Sequence, residues 1–239
     1  MKGINMSVKF GIIGAMDVET SLLKSSMRIT DKKVIASQEY CEGYIGNTAC
    51  VVVQCGVGKV RAGMSVQVLH DVFHVTHIIN TGVAGSLNND INIGDIVVSK
   101  DAVYHDVNAV NFGYALGELP QSGHLFYEAD QDLRIEAIEA VKKAAPDVKP
   151  FSGRIASGDQ FVCTKDKKEW IRDTFHADCT EMEGCAIAQA SVLNNIPFVI
   201  MRAISDKADE SVEESYDVFE KKAAEHCAHI VLYMLENHH

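Results

Sequence analysis

Short apolar runs of strand length alternate with longer amphipathic segments along this chain, and no other feature restricts its fold as strongly. Residues 8–15 read as a first strand. Residues 34–38, 39–45 and 49–55 read as a meander with a turn at Gly46-Asn47. Residues 57–73 carry helical periodicity, 76–81 are a short buried strand, and a further strand is expected over 94–103. In the second half, 130–145 is an amphipathic helix with Ile135, Ile138 and Val141 on one face, stopped by Pro146. A strand at 151–157, helices at 165–174 and 183–193, a strand at 197–204 and a terminal helix at 216–236 complete the pattern. Hairpin-joined and helix-joined strands both occur. The expectation is therefore a single α/β domain over residues 1–239, with a central twisted mixed β-sheet flanked by helices. Residues 1–7 are expected as a disordered or extended start, and His238 and His239 resemble the remnant of a tag. Residues 104–127, rich in glycine, proline and aromatics, are the one long irregular stretch, and such loops usually carry function or an interface.

Within this frame, carboxylates fall where a core-building chain seldom puts them. Glu181 and Glu183 sit where a helix begins, and Asp206 follows the apolar run Pro197-Phe198-Val199-Ile200-Met201. Taken singly, each has an ordinary reading. Acids at a helix start complement its dipole, Asp206 could be an N-cap, and Glu19 could belong to the first turn after strand one. Together, however, Glu19, Glu183, Asp206, Arg202 and Ser205 all fall at the ends of expected parallel strands or the turns after them, where open α/β sheets bind ligands. Two or three acids placed there suggest general acid/base cleavage of a bond.

The formal net charge of −11 argues against nucleic acid or an acidic membrane surface as partner. No run approaches the roughly 20 apolar residues of a membrane span, and residues 10–16 are too short for a signal peptide. Seven cysteines without a C-x-x-C pair point to a reducing, cytoplasmic compartment. His70, His74 and His77 could share metal-like spacing if the helix ran on to His74, but no carboxylate or cysteine joins them, so no metal is expected. Gly82-Val83-Ala84-Gly85 reads as a turn whose amides could approach a planar ligand or an anion. Gly56-Val57-Gly58-Lys59 lacks P-loop spacing.

Seven motifs in order carry a resemblance: Gly14 to Glu19, Gly56 to Val60, Asn80 to Gly85, Gly94 to Ser99, Ser157-Gly158-Asp159, Glu181-Met182-Glu183, and Arg202 to Asp209. As a set, covering essentially the whole chain, they resemble the bacterial 5'-methylthioadenosine/S-adenosylhomocysteine nucleosidases of the nucleoside phosphorylase superfamily. The resemblance implies that fold and hydrolysis of the N-glycosidic bond of 5'-thioadenosines, with no cofactor. It makes Asp206, supported by Ser205, the acid that protonates purine N7, with burial beside an apolar strand helping it to hold a proton. Glu19 would activate water with Arg202 orienting, and Glu183 would bind the ribose hydroxyls. Phe161 would stack on the purine and Val162 would meet its edge. Met182 would pack on the ribose, while Met16 and Tyr216 would line the 5'-thio pocket. Glu181 falls to a supporting place at the helix start. A homodimer is implied, with Phe112 and Pro120 of the long loop completing the partner's pocket.

Some positions depart from the usual pattern. Only the last acid of a common triplet is kept in Asp17-Val18-Glu19, Val83 stands for a frequent serine, and Ser86 for a frequent glycine. A phosphorylase of the same fold is disfavoured because Asp17 and Glu19 would repel phosphate. A futalosine-type hydrolase remains a rival at the 5' pocket. A non-catalytic nucleoside-binding protein would not require Glu19, Glu183 and Asp206 together.

Overall fold

The computed structural model describes residues 8–207 and 212–238, with the backbone alone over 212–218. Residues 1–7 and the side chain of Tyr216, expected in the 5'-thio pocket, lie outside the described residues. The elements in chain order are β1 (Lys9–Gly14), α1 (Asp17–Ser26), β2 (Arg28–Ile35), β3 (Gln38–Ile45), β4 (Thr48–Gln54), α2 (Lys59–Asp71), β5 (His77–Ser86) and β6 (Ile96–Tyr104). After a single 3-10 turn at Val110–Phe112 come β7 (Tyr127–Glu128), α3 (Gln131–Ala144), β8 (Pro150–Ser157), α4 (Lys165–Phe175), β9 (Cys179–Glu181), α5 (Gly184–Leu193), β10 (Phe198–Asp206) and α6 (Val212–Glu236).

The sheet is mixed, as expected. β1 runs parallel to β4 and β5, β5 parallel to β10, and β8 parallel to β6 and β9. The hairpins β2–β3 and β3–β4, and the pairs β10–β6, β5–β9 and β6–β7, are antiparallel. The pairings β5–β10–β6–β8–β9–β5 also close on themselves, so one half of the sheet curls into a ring rather than lying open. Nothing in the strand pattern announces this closure, because ring and open sheet need the same alternation of buried side chains.

That alternation sorts side chains into two layers. Phe10, Ile12, Val199, Met201 and Ala203 join the cluster under α1, α3 and α6. Ile13, Phe198, Ile200 and Ile204 face α2 and α5 in the other. Arg202 has the parity of Ile200 and Ile204, so β10 delivers a guanidinium into the layer where β9 and α5 begin.

Several expected boundaries move. β2 starts at Arg28, not at 34; it is an exposed edge strand whose charged residues mask it in the sequence. Gly82-Val83-Ala84-Gly85 is not a turn but the end of β5, kept extended by β10 and β9 on either side. Glu181 belongs to the short strand β9, and only Glu183 stands at the helix start, as the N-cap of α5. α2 stops at Asp71 and His74 adopts a left-handed conformation, so the shared helical face of His70 and His74 does not form. Asp130 caps α3 by accepting a hydrogen bond from Leu133 N at 2.9 Å. Among the described residues no helix is long and apolar enough to cross a membrane.

Candidate active site

Glu19 is positioned by the geometry of a helix start. At the third residue of α1 its Oε2 accepts from the amides of Ala15 at 2.6 Å and Met16 at 2.9 Å, while Oε1 accepts from Val83 N at 3.1 Å. The carboxylate thus bridges the end of β1 to the end of β5. Its approach depends on Gly82: a Cβ there would collide with Glu19 Oε1 and stand 2.8 Å from Arg202 Nη1. Burial pushes Glu19 above the ordinary glutamate range, against the opposing pull of the Arg202 charge and the three amides.

Arg202 is 2% exposed and its partners differ from those expected. Its Nη2 donates to Glu181 Oε2, in a very short ion pair, and to Asn80 Oδ1 at 2.7 Å. Asn80 in turn donates to Ile13 O at 2.8 Å. Arg202 therefore faces Glu19 through its charge, while its hydrogen bonds anchor Glu181.

The two glutamates of Glu181-Met182-Glu183 divide their work. Glu181 accepts from Ser157 Oγ, from Arg202, and from the amides of Glu183 at 3.0 Å and Gly184 at 2.7 Å. Burial opposes its charge, but Arg202 and these hydrogen bonds outweigh it and hold the carboxyl below its usual range. Glu183 accepts from Gly58 N at 2.7 Å and has no such cation of its own. Burial first, then the Glu181 charge, pushes it up to about 8. Two adjacent buried carboxyls thus settle into one charged and one proton-holding group.

Asp206 is set by a bulge. Ile204 pairs with Ala84 and Asp206 with Gly85, so β10 carries one extra residue at Ser205. The bulge brings Asp206 against Gly85, where an added Cβ would lie 3.1–3.2 Å from the carboxylate oxygens. Ser205 Oγ donates to Asp206 Oδ1 at 3.2 Å. The surroundings are not simply apolar, however: Lys168 Nζ donates to Asp206 Oδ2 at 2.6 Å, with both groups buried. Lys168 was missed in the sequence. The available signal was a lysine in register with Ile171 and Phe175 on the single buried face of α4.

These groups share one cavity. Met16, Glu19, Val83, Ala84, Gly85, Phe161, Val162, Glu181, Met182, Glu183, Ser205 and Asp206 all line it. Arg202 lies behind the wall. Phe112 and Pro120 do not line it; both are exposed, Phe112 at 83%. A largely apolar lining with a few convergent polar groups suits a small organic ligand. No cluster of metal-ligating side chains occurs among the described residues.

Residues 9–236 match the family model of the phosphorylase superfamily. A 5'-methylthioadenosine/S-adenosylhomocysteine nucleosidase from Bacillus licheniformis is 38% identical over 230 residues, covering 96% of this chain and 99% of the relative. The chain belongs to the methylthioadenosine/adenosylhomocysteine nucleosidase family. Solved structures agree with that membership. A Streptococcus pyogenes S-adenosylhomocysteine nucleosidase in complex with 5-methylthiotubericidin superimposes with a TM-score of 0.91 at 37% identity, covering 99% of this chain and all of that one. A futalosine hydrolase of Helicobacter pylori has a TM-score of 0.90 at 31% identity, covering 97% of this chain and 98% of the other. Family members and a differently named hydrolase thus share the scaffold, and the cavity lining has to separate them.

Proposed function

We propose that the chain hydrolyses the N-glycosidic bond of 5'-methylthioadenosine and S-adenosylhomocysteine, releasing adenine and the 5-thio-substituted ribose. One observation carries this reading: Glu19, Glu183 and Asp206 line a single cavity that has no lysine or arginine among its described lining residues. Phosphate entering it would meet carboxyl groups and no lining cation, whereas neutral water is not repelled, so hydrolysis is favoured over phosphorolysis.

In the proposed reaction Asp206 donates a proton to purine N7 as the C1'–N9 bond breaks and its electron pair passes to the base. Glu19, held by three backbone amides, takes a proton from the water that adds to C1' of the oxocarbenium-like sugar. Glu183 binds the ribose hydroxyls. Holding a proton at neutral pH, it can donate one hydrogen bond as well as accept. Phe161 and Val162 receive the purine, Met182 the ribose, and Met16 the thioether, for which an apolar, polarizable wall is suited. Glu181 and Arg202 act behind them by fixing the start of α5 and the local charge.

The exposed Phe112 and Pro120 fit a homodimer in which this loop closes the partner's cavity. Val60 and Leu193, each 73% exposed, extend an apolar surface beside it. Six buried free cysteines and one exposed one fit a reducing cytoplasm.

The test is incubation with methylthioadenosine, adenosylhomocysteine, adenosine and a futalosine-type nucleoside, with and without phosphate, while following release of the base. Adenine should appear from the two thio-nucleosides without phosphate. A strict phosphate requirement, or cleavage of the futalosine-type substrate alone, would overturn the assignment. Asp206→Asn should still bind methylthioadenosine while turnover falls by about 10²-fold or more.

A further inference from the structure

Lys168 is a buried cation that the hydrolysis described above does not use. It lies on α4, a helix whose remaining charges face outward, and it shares the buried face with Ile171 and Phe175. Its side chain is 1% exposed and that of Asp206 6%, with 2.6 Å between Nζ and Oδ2. Nζ also donates to the main-chain oxygen of Lys207 at 2.8 Å. Fully buried lysines are rare because desolvating an ammonium is costly, and a partner offsets that cost only with good geometry. Here the partner is a residue of the candidate site. With Oδ2 held by Lys168 and Oδ1 accepting from Ser205, the carboxyl has one orientation, pressed against Gly85 at the cavity wall.

A general acid must be held at its leaving group and must remain stable as a carboxylate once the proton has gone. An ammonium at 2.6 Å, away from water, orients the carboxyl and stabilises the carboxylate left after proton transfer, while the same attraction works against loading the proton beforehand. We propose that Lys168 is a positioning residue for leaving-group protonation: it orients the Asp206 carboxyl and stabilises the negative charge that Asp206 gains as its proton passes to the purine. The inference rests on the reading of Asp206 as the purine acid. A clamp of purely architectural value, tying α4 to the end of β10, would instead affect every substrate alike.

Two substrates with the same 5-methylthioribosyl group separate these cases. Adenine leaves only with a proton at N7, whereas p-nitrophenolate departs as a stable anion and needs none. For Lys168→Met, kcat on methylthioadenosine should fall about 10- to 100-fold with KM within about threefold, while turnover of the p-nitrophenyl glycoside stays within about threefold of wild type. Lys168→Arg, which keeps the charge, should recover most of the loss. Because the two groups act in series, Asp206→Asn/Lys168→Met should lose no more than Asp206→Asn alone.

Turnover of the p-nitrophenyl glycoside also reports whether Lys168→Met is folded. Should it melt below the assay temperature, Lys168→Gln, which keeps a donor without the charge, replaces it in the same comparison. Equal losses on both substrates, or an unchanged kcat on methylthioadenosine, would overturn the proposal. An inactive Asp206→Asn beside an unimpaired Lys168→Met defeats this inference alone. An active Asp206→Asn defeats the reading of Asp206 itself.

Discussion

Replacing Glu183 by glutamine keeps the shape of a buried side chain and removes its titration. In the wild-type protein burial, reinforced by the Glu181 charge, pushes the Glu183 carboxyl up to about 8 from an ordinary 4.5. Its folded value is raised, so between those two limits the unfolded chain has released a proton that the folded chain still binds. The resulting stabilisation is complete below about pH 4.5 and is lost progressively as pH rises through about 8. At about 1.4 kcal/mol per pH unit, the interval from about pH 5.5 to pH 8 removes roughly 3 kcal/mol. Glu183 is only 6% exposed, so solvent screening does little to shrink that figure. The assay is urea unfolding of wild type and Glu183→Gln at those two pH values and equal protein concentration. The amide adds an offset of its own, but one that does not vary with pH. Wild type should lose about 3 kcal/mol more than the variant over the interval. Curves that run parallel to within about 0.5 kcal/mol would show that Glu183 is ionised throughout, and the division of charge between Glu181 and Glu183 would be refuted.

Two further outcomes follow from the proposed roles and the proposed homodimer. Glu19 must be ionised to accept a proton from water, and burial raises it, so kcat/KM should decline on the acid side at a higher pH than an ordinary glutamate at 4.5 would dictate; a decline centred at or below that value in a pH–rate profile would contradict the assignment. Phe112→Ala should lower turnover although Phe112 lies outside its own cavity, and co-expression with Asp206→Asn should restore activity in the mixed dimer, where one intact site receives Phe112 from its partner. Mixed dimers no more active than either parent in a thio-nucleoside assay would exclude the shared pocket.

Much of the fold was legible because the strands are apolar runs and the helices are periodic. The approximate positions of most strands were therefore legible too, and with them Glu19, Ser205 and Asp206 as residues near strand ends. What escaped notice was carried by weak or misleading local signals. β2 is charged because it is an exposed edge, and β9 has only three residues. Gly82 to Gly85 has turn composition yet remains strand, because its glycines admit Glu19, Arg202 and Asp206 alongside the backbone. Lys168 looked like one more charge in Lys165-Asp166-Lys167-Lys168-Glu169, although its register with Ile171 and Phe175 placed it inward.

By itself the sequence determined most of the elements, the mixed sheet and the order of motifs that assigns the family, because these depend on local periodicity and on residue types at fixed spacing. Partnership was decided by the tertiary structure alone. Arg202 reaches Glu181 and Asn80 only because β10 lies beside β5 and near β9, and Asp206 meets Lys168 only because a bulge turns it against Gly85. Whether a buried carboxyl carries charge or a proton depends on which cation comes within a few ångströms, and no spacing along the chain encodes that distance.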